Sequence, residues 1–249
     1  MTAPTPSFRR GVLSPIDALA AGWRLVRDRY WLFLGISAAG VLIGSYGPFG
    51  ILLGPMMCGI YACYGRQARG RPVRFEMVFD GFETRVFVQS LLATLGLLAA
   101  TMAVFMPIAC AGGGAAAVIA GSAPDHTSNV LFAVLFSAFF ALWIALSVVL
   151  GTVFLFTYPL IADRKLDALE ALSLSARAVR GNLGGALGLV LLTFAMGLGG
   201  VCCCYVGAFF VMPITFGAQM AAYETVFGLL PSEEAQLPGV SHDLGEVQP

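Results

Sequence analysis

The stretch GNLGGALGLVLLTFAMGLGGVCCCYVGAFFVMPITFGAQMAAY, residues 181–223, contains no acidic or basic side chain. Because a helix needs roughly 20 apolar residues to cross a bilayer, this stretch is long enough for two crossings. Three more stretches without Asp, Glu, Lys or Arg precede it, at residues 30–65, 86–124 and 126–162. With 58% hydrophobic and 11% charged residues, the composition lies far outside that of soluble domains. The sequence therefore predicts an all-α fold, a polytopic transmembrane helical bundle.

Turn signals divide these stretches into about six predicted spans. The stretch 30–65 is too long for one helix. Gly47 and Pro48 interrupt it, because proline lacks a backbone donor and glycine adopts turn dihedrals. The predicted spans are 31–46, 49–65, 86–110, 130–159, 183–199 and 203–223. The first two spans are short, and a re-entrant hairpin is the alternative for that pair.

The basic residues orient the predicted bundle. All 14 Lys and Arg residues lie outside the four uncharged stretches. An excess of Lys and Arg marks the cytoplasmic side of a membrane protein. A threading with both termini in the cytoplasm places all of them on that side, and it places Tyr30 and Trp31 at the inner interface, where amphipathic rings are enriched.

Three segments between the spans have the pattern of interfacial amphipathic helices, at residues 14–30, 75–82 and 163–180. In the first, Ser14 can cap the helix and Pro15 suits its first position. Its predicted apolar stripe consists of Ile16, Leu19, Ala20, Trp23, Val26 and Tyr30. Candidate contacts to anionic lipid are the arginines near the ends of the first and third helices: Arg24, Arg27, Arg29, Arg177 and Arg180. The alternative is that these helices only cover the bundle from below.

The chain also shows an internal repeat. Asp17-Ala18-Leu19 recurs as Asp167-Ala168-Leu169, and Pro55 with Gly59 and Tyr64 recurs as Pro213 with Gly217 and Tyr223. Both units start on the same side, which predicts a parallel repeat about the membrane normal.

The predicted organisation is a flexible N-terminus (1–13), one membrane domain (14–228) and a disordered tail (229–249). Within the domain lie repeat one (14–65), a cytoplasmic loop and hairpin (66–162) and repeat two (163–228).

Prolines supply the predicted helix kinks, at Pro55, Pro107, Pro159 and Pro213. A proline inside a span is tolerated when neighbouring helices satisfy the freed carbonyl groups. Packing is the favoured explanation of these residues, and hinges in a transport cycle are the alternative.

Residues that carry chemistry are scarce. The predicted spans contain no Asp, Glu, Lys or Arg, so coupling through an intramembrane carboxylate is not predicted. Asp125 and His126 are adjacent but lack further ligands. Cys202, Cys203 and Cys204 are consecutive, which fits no zinc-ligand spacing, and their role stays open. The sequence predicts no catalytic residue, no metal and no cofactor.

Several short motifs resemble a known group of proteins. They are Gly22-Trp23, Pro55 with Gly59, Gly70-Arg71-Pro72-Val73, Phe79-Asp80-Gly81-Phe82 and Ala171-Leu172-Ser173-Leu174-Ser175. Over most of residues 13–228 the chain resembles uncharacterised bacterial multi-pass membrane proteins, which are similar to the membrane domain of some glycerophosphoryl diester phosphodiesterases. The resemblance implies a helical bundle in a bacterial inner membrane. It brings no catalytic residues, because this sequence lacks the phosphodiesterase domain.

These observations favour a non-enzymatic integral membrane protein with a structural, assembly or lipid-interacting role. The alternative is a carrier or channel for a neutral or lipidic substrate, and a membrane enzyme is a third class. Membrane lipids are the expected partners, with other membrane proteins or a second copy of the chain as further candidates. Nucleic acid is not expected, because each basic cluster borders an apolar segment and contains acidic residues.

Overall fold

The computed structural model describes residues 8–46, 50–120, 126–202 and 206–229, and within them every regular element is a helix. The α-helices are α1 (Pro15–Val26), α2 (Tyr30–Tyr46), α3 (Leu53–Ala68), α4 (Thr84–Ala120), α5 (His126–Val153), α6 (Thr157–Arg164), α7 (Ala168–Gly181), α8 (Leu183–Cys202) and α9 (Val206–Phe227). Two 3₁₀ helices, Arg27–Arg29 and Phe75–Phe82, precede α2 and α4. The predicted all-α class is confirmed for this part of the chain.

Among the described residues, four helical runs are long and apolar enough to cross a membrane: Thr84–Pro107, Val130–Arg164, Leu183–Cys202 and Val206–Phe227. Helices α2 and α3 contain 17 and 16 residues. At 1.5 Å per residue each is about 25 Å long, which is less than the roughly 30 Å hydrocarbon core. The turn between them, residues 47–49, lies outside the described residues. The six-span threading therefore stays a prediction.

The packed core is formed by buried residues of α1, α3, α6, α7 and the second half of α9. Tyr64 of α3 and Tyr223 of α9 are fully buried there. The Tyr64 hydroxyl lies 2.8 Å from the hydroxyl of Ser37 and donates to the Pro213 carbonyl at 3.2 Å. The hydroxyl of Tyr64 thus links α2, α3 and α9 in the interior.

Helix α1 packs on α9 through glycine. A Cβ atom at Gly22 would lie 2.3 Å from the Ala218 amide nitrogen, and one at Gly217 would lie 2.8 Å from the Gly22 carbonyl oxygen. The buried residues of α1 are Ala18, Gly22 and Val26, whereas the larger Ile16 and Trp23 are exposed. Of the predicted apolar stripe, Val26 is buried against the bundle, whereas the buried Ala18 and Gly22 were not part of it, because close backbone contact selects small residues.

The 3₁₀ helix Phe75–Phe82 packs on α3 in a similar way. A Cβ atom at Gly59 would lie 1.8 Å from the Val78 carbonyl oxygen, and one at Gly81 would lie 1.9 Å from the Pro55 carbonyl oxygen. Its phenylalanines are exposed, namely Phe75, Phe79 and Phe82. Gly59 and Gly217, which the predicted repeat pairs, each admit the backbone of a neighbouring amphipathic segment. The repeat itself stays a prediction.

Residues 8–13, which the sequence assigned to a flexible terminus, are fixed to the ends of α7 and α9. The Arg9 amide donates to the Val226 carbonyl at 2.8 Å. The Asn182 side chain accepts from the Val12 amide at 3.1 Å and donates to the Arg9 carbonyl at 2.9 Å. The flexible-terminus prediction is wrong for these residues. Of the predicted disordered tail, all but Leu229 lies outside the described residues.

The third amphipathic helix begins later than predicted. Asp163 and Arg164 belong to α6, and Lys165 ends that helix in the left-handed region with φ 50°. The amphipathic helix α7 then starts at Ala168, after Asp167, so the predicted start at residue 163 is wrong. Its end at Gly181, with Asn182 as the capping residue, lies one residue beyond the predicted end at residue 180. The start of α1 is also as expected, since the Ser14 hydroxyl accepts from the Asp17 amide at 3.5 Å.

Two of the four predicted kink prolines lie inside helices, Pro107 in α4 and Pro213 in α9. Pro55 and Pro159 lie in the first turns of α3 and α6. Amide groups in the first turn of a helix have no intrahelical acceptor, so proline costs no hydrogen bond there. These two residues mark helix starts rather than interior kinks.

Replacing Gly22 or Gly217 by alanine should destabilise the protein by about 1–3 kcal/mol, because the new methyl group meets backbone atoms that cannot yield easily. Thermal unfolding in detergent measures the change. The matched control is Gly197→Ala in α8, where a Cβ atom meets nothing within 4 Å. Equal melting temperatures for all three variants would show that the α1–α9 contact is not close.

Candidate functional site

Charged side chains converge where α3, α6 and α9 end. Arg69 follows α3, Asp163 and Arg164 form the last residues of α6, and Tyr223 lies one turn before the end of α9. The Arg69 guanidinium donates to one carboxylate oxygen of Asp163. The Tyr223 hydroxyl donates to the other at 2.8 Å. The Asp163 side chain is only 5% exposed, and both of its oxygens have the partners that a buried carboxylate requires.

Arg164 closes the end of α9. Its Nη2 donates to the carbonyl oxygens of Phe227 at 2.9 Å and Gly228 at 3.3 Å, and its Nε donates to the Tyr223 hydroxyl at 3.2 Å. Gly228, with φ +68°, ends the helix in the left-handed region. A cation at the carboxyl end of a helix satisfies the last carbonyl groups and the helix dipole. This network therefore links the ends of α3, α6 and α9 and has a structural role. Its members are Arg69, Asp163, Arg164 and Tyr223.

The sequence analysis did not predict this network. It assigned Asp163 to an interfacial helix, whereas the partners Arg69 and Tyr223 lie 94 and 60 residues away along the chain. One local signal was available. Asp163 and Arg164 directly follow the uncharged stretch 126–162. Charged side chains at the end of a predicted span need polar partners from other helices.

A recess of about 260 Å³ lies beside this network, lined by Arg29, Gln67, Gly70, Arg71 and Pro72. Arg29 comes from the short 3₁₀ helix before α2, and the other four come from the end of α3 and the loop after it. The loop folds back on the helix, since the amides of Arg69 and Arg71 both donate to the Arg66 carbonyl, at 3.2 and 3.0 Å. Gly70 makes this reversal possible with φ +71°.

The lining of the recess carries positive charge. Two of its five residues are arginines and none is a carboxylate. Two acidic residues, Asp28 and Asp163, have arginine partners outside this lining. Asp28 lies 3.3 Å from Arg27, and Asp163 contacts Arg69. The arrangement is suited to an anion. Across the described residues, no group of three His, Cys, Asp or Glu side chains could hold a metal ion.

The five arginines predicted as lipid contacts are all exposed: Arg24, Arg27, Arg29, Arg177 and Arg180. Of these, Arg29 lines the recess. Arg27 pairs with Asp28, and the Nε of Arg177 donates to the Ser173 carbonyl at 3.4 Å. Arg29 and Arg71 thus line the same recess, and the sequence analysis did not select Arg71. The signal for Arg71 was its position in a loop with four arginines within residues 66–74.

Comparisons with protein-family models, with curated proteins and with solved structures find no match to this chain. The resemblance to membrane domains of phosphodiesterases therefore stays an expectation. The functional argument depends on the residues of the chain itself.

Asp163→Asn should destabilise the protein by about 3–5 kcal/mol, because it removes the charge of a buried carboxylate to which the Arg69 guanidinium and the Tyr223 hydroxyl both donate. The control is Glu83→Gln, which removes the exposed ion pair with Lys165 at 3.3 Å and should cost less than about 1 kcal/mol. Thermal unfolding in detergent compares the two variants. Similar small losses in both would mean that the carboxylate of Asp163 is not buried.

Proposed function

We propose that the protein is a non-enzymatic integral protein of a bacterial inner membrane that binds anionic lipid on its basic surface and has a structural or assembly role. The observation that carries this proposal is that basic residues lie directly beside an exposed aromatic residue at the start of α2. Arg27 and Arg29 directly precede α2, and Trp31, in the first turn of α2, is 73% exposed. Juxtamembrane cations are attracted to anionic headgroups, and exposed aromatic rings favour the membrane interface.

The exposed surfaces of the long helices support a lipid environment. Large apolar side chains of α5 are exposed along its length, among them Leu131, Phe132, Phe136, Phe140, Leu142 and Trp143. A soluble monomer rarely exposes such a continuous apolar surface. Hydrocarbon chains cover it without the cost that water imposes.

The interior favours a structural role over a carrier. Most of its buried hydroxyl groups are used in bonds within the bundle, and the exception among the described residues is the hydroxyl of Thr157. Ser175 donates to the Val153 carbonyl at 2.7 Å, Thr152 to the Val148 carbonyl at 2.6 Å, and Thr94 to the Ser90 carbonyl at 2.8 Å. A polar substrate path needs such groups to be available. Pro213 inside α9 is the feature that keeps a carrier for a neutral or lipidic substrate as the second candidate.

We expect six spans with both termini in the cytoplasm. Reporter fusions after Pro48, Asp125 and Gly200 should then respond as outer positions, and fusions after Gly70, Leu166 and Leu230 as inner positions. The fusion after Pro48 is the decisive one, because α2 and α3 are short. An inner signal there, with the other five as expected, would establish a re-entrant hairpin and four spans.

Lipid retention tests the proposed role. Protein purified in mild detergent should carry more phosphatidylglycerol than phosphatidylcholine when both are supplied equally, as measured by native mass spectrometry. Joint replacement of Arg24, Arg177 and Arg180 by glutamate should reduce that preference about a hundredfold, since each cation near anionic headgroups contributes about 1 kcal/mol and 1.4 kcal/mol is a factor of ten. The control replaces Glu233 and Glu234 by glutamine. No preference in the unmodified protein would refute the proposal.

A further inference from the structure

We propose that four arginines form one basic patch that binds the anionic headgroups of the membrane surface at the start of α8. They are Arg9, Arg10, Arg177 and Arg180. The inference rests on the proposed lipid-binding role and names the surface that performs it. It also gives the N-terminal segment, residues 8–13, a function, because this segment brings two of the four arginines to that place.

The N-terminal segment is held against the junction of α7 and α8. The Gly11 amide donates to the Gly181 carbonyl at 3.1 Å. The side chain of Asn182, which is 5% exposed, accepts from the Val12 amide and donates to the Arg9 carbonyl. Asn182 lies directly between α7 and α8. These bonds therefore fix the segment relative to both helices.

The same contacts bring Arg10 to the end of α7. A Cβ atom at Gly181 would lie 3.1 Å from the Cγ of Arg10 and 3.0 Å from the ring of Phe8. The Arg10 guanidinium lies over the Phe8 ring, 5.6 Å from its centroid, and such a cation–π contact restrains the guanidinium. The Phe8 ring in turn meets that of Phe227, with centroids 6.3 Å apart. Arg10 is thus positioned beside Gly181, the residue after Arg180.

Helix α7 contributes the other two arginines. Arg177 and Arg180 are three residues apart, which makes them neighbours on the helix surface. Both side chains are exposed, as are those of Arg9 and Arg10. The acidic residue of α7, Glu170, lies in the first turn, about 15 Å along the axis from Arg180. The helix therefore presents its cations at the end where the N-terminal segment adds two more.

The patch lies where a candidate span begins. Leu183, two residues after Gly181, is the first residue of α8 and is 57% exposed. The segment continues along the first turn of this helix, since a Cβ atom at Gly185 would overlap the Leu13 carbonyl oxygen. Clusters of about four or more basic residues at the end of a span attract anionic lipid. Charge complementarity and the adjoining apolar span Leu183–Cys202 thus favour a lipid surface over a soluble anion.

The test uses the full chain in mild detergent. Native mass spectrometry measures the preference for phosphatidylglycerol over phosphatidylcholine. Replacing Arg9→Gln together with Arg10→Gln removes two cations and keeps every backbone bond of the segment. The preference should fall about thirtyfold, because each cation near anionic headgroups contributes about a factor of five.

A second pair of substitutions releases the segment and keeps all four charges. Asn182→Ala removes the side chain that holds the segment, and Gly11→Val puts a β-branched residue at φ +67°, where glycine alone is unstrained. The preference should fall about tenfold, because arginines on a free segment lose conformational freedom when they bind. The matched control is Ser175→Ala with Gly50→Val, which removes a buried polar side chain and a glycine at φ +66° away from the segment. It should bind like the unmodified protein.

The outcomes separate the two proposals. If the release pair keeps the preference, or if the control loses as much, the fixed patch is refuted while the general lipid preference stands. The same conclusion follows if Arg9→Gln with Arg10→Gln binds like the unmodified protein, and this variant decides the question where the release pair does not fold. Displacement of phosphatidylglycerol by glycerol phosphate at comparable concentration would identify a soluble anion and overturn the lipid surface as the partner. If the unmodified protein shows no preference for phosphatidylglycerol, the proposed function fails and the patch with it.

Discussion

The contact between Gly22 and Gly217 is the constraint on which the rest of the structure depends. It brings two backbones together with no side chain between them, and so it fixes α1 along the second half of α9. Apolar burial gains little inside a bilayer, because lipid tails are as apolar as the core. Close van der Waals packing must then hold the helices together, and only residues without a side chain permit it at this distance. The placement of Arg29 and Tyr30 follows from that contact.

Buried polar contacts fix the helices in addition to close backbone packing. The carboxylate of Asp163 lies almost out of solvent and is stabilised by Arg69 and Tyr223. Such a pair contributes little net stability, since desolvation offsets attraction, but a wrong arrangement leaves a buried charge without a partner. Its value is specificity, because it permits one relative placement of α3, α6 and α9. The same placement sets Gly70 and Arg71 opposite Arg29 and so forms the recess.

The sequence predicted what depends on local pattern. The uncharged stretches predicted the long helices, and Ser14 and Pro15 predicted the start of α1. The sequence did not predict contacts between residues that are distant along the chain. The apolar stripe predicted for α1 did not include Gly22, the residue at which the backbones of α1 and α9 meet. Asp163 was assigned to an interfacial helix and Arg71 was not selected, because their neighbours in the structure are distant in sequence.

Burial is uneven among the long helices. In the 18-residue apolar segment within Val130–Arg164 only 6% of residues are buried, against 44% in the corresponding segment of Val206–Phe227. Helix α5 is therefore under weak constraint from its own fold, and most apolar residues would serve equally well along it. Over evolutionary time we expect the sequence of α5 to change more quickly than that of α9. Related chains would then share recognisable residues around α1, α3 and α9 and differ almost entirely elsewhere.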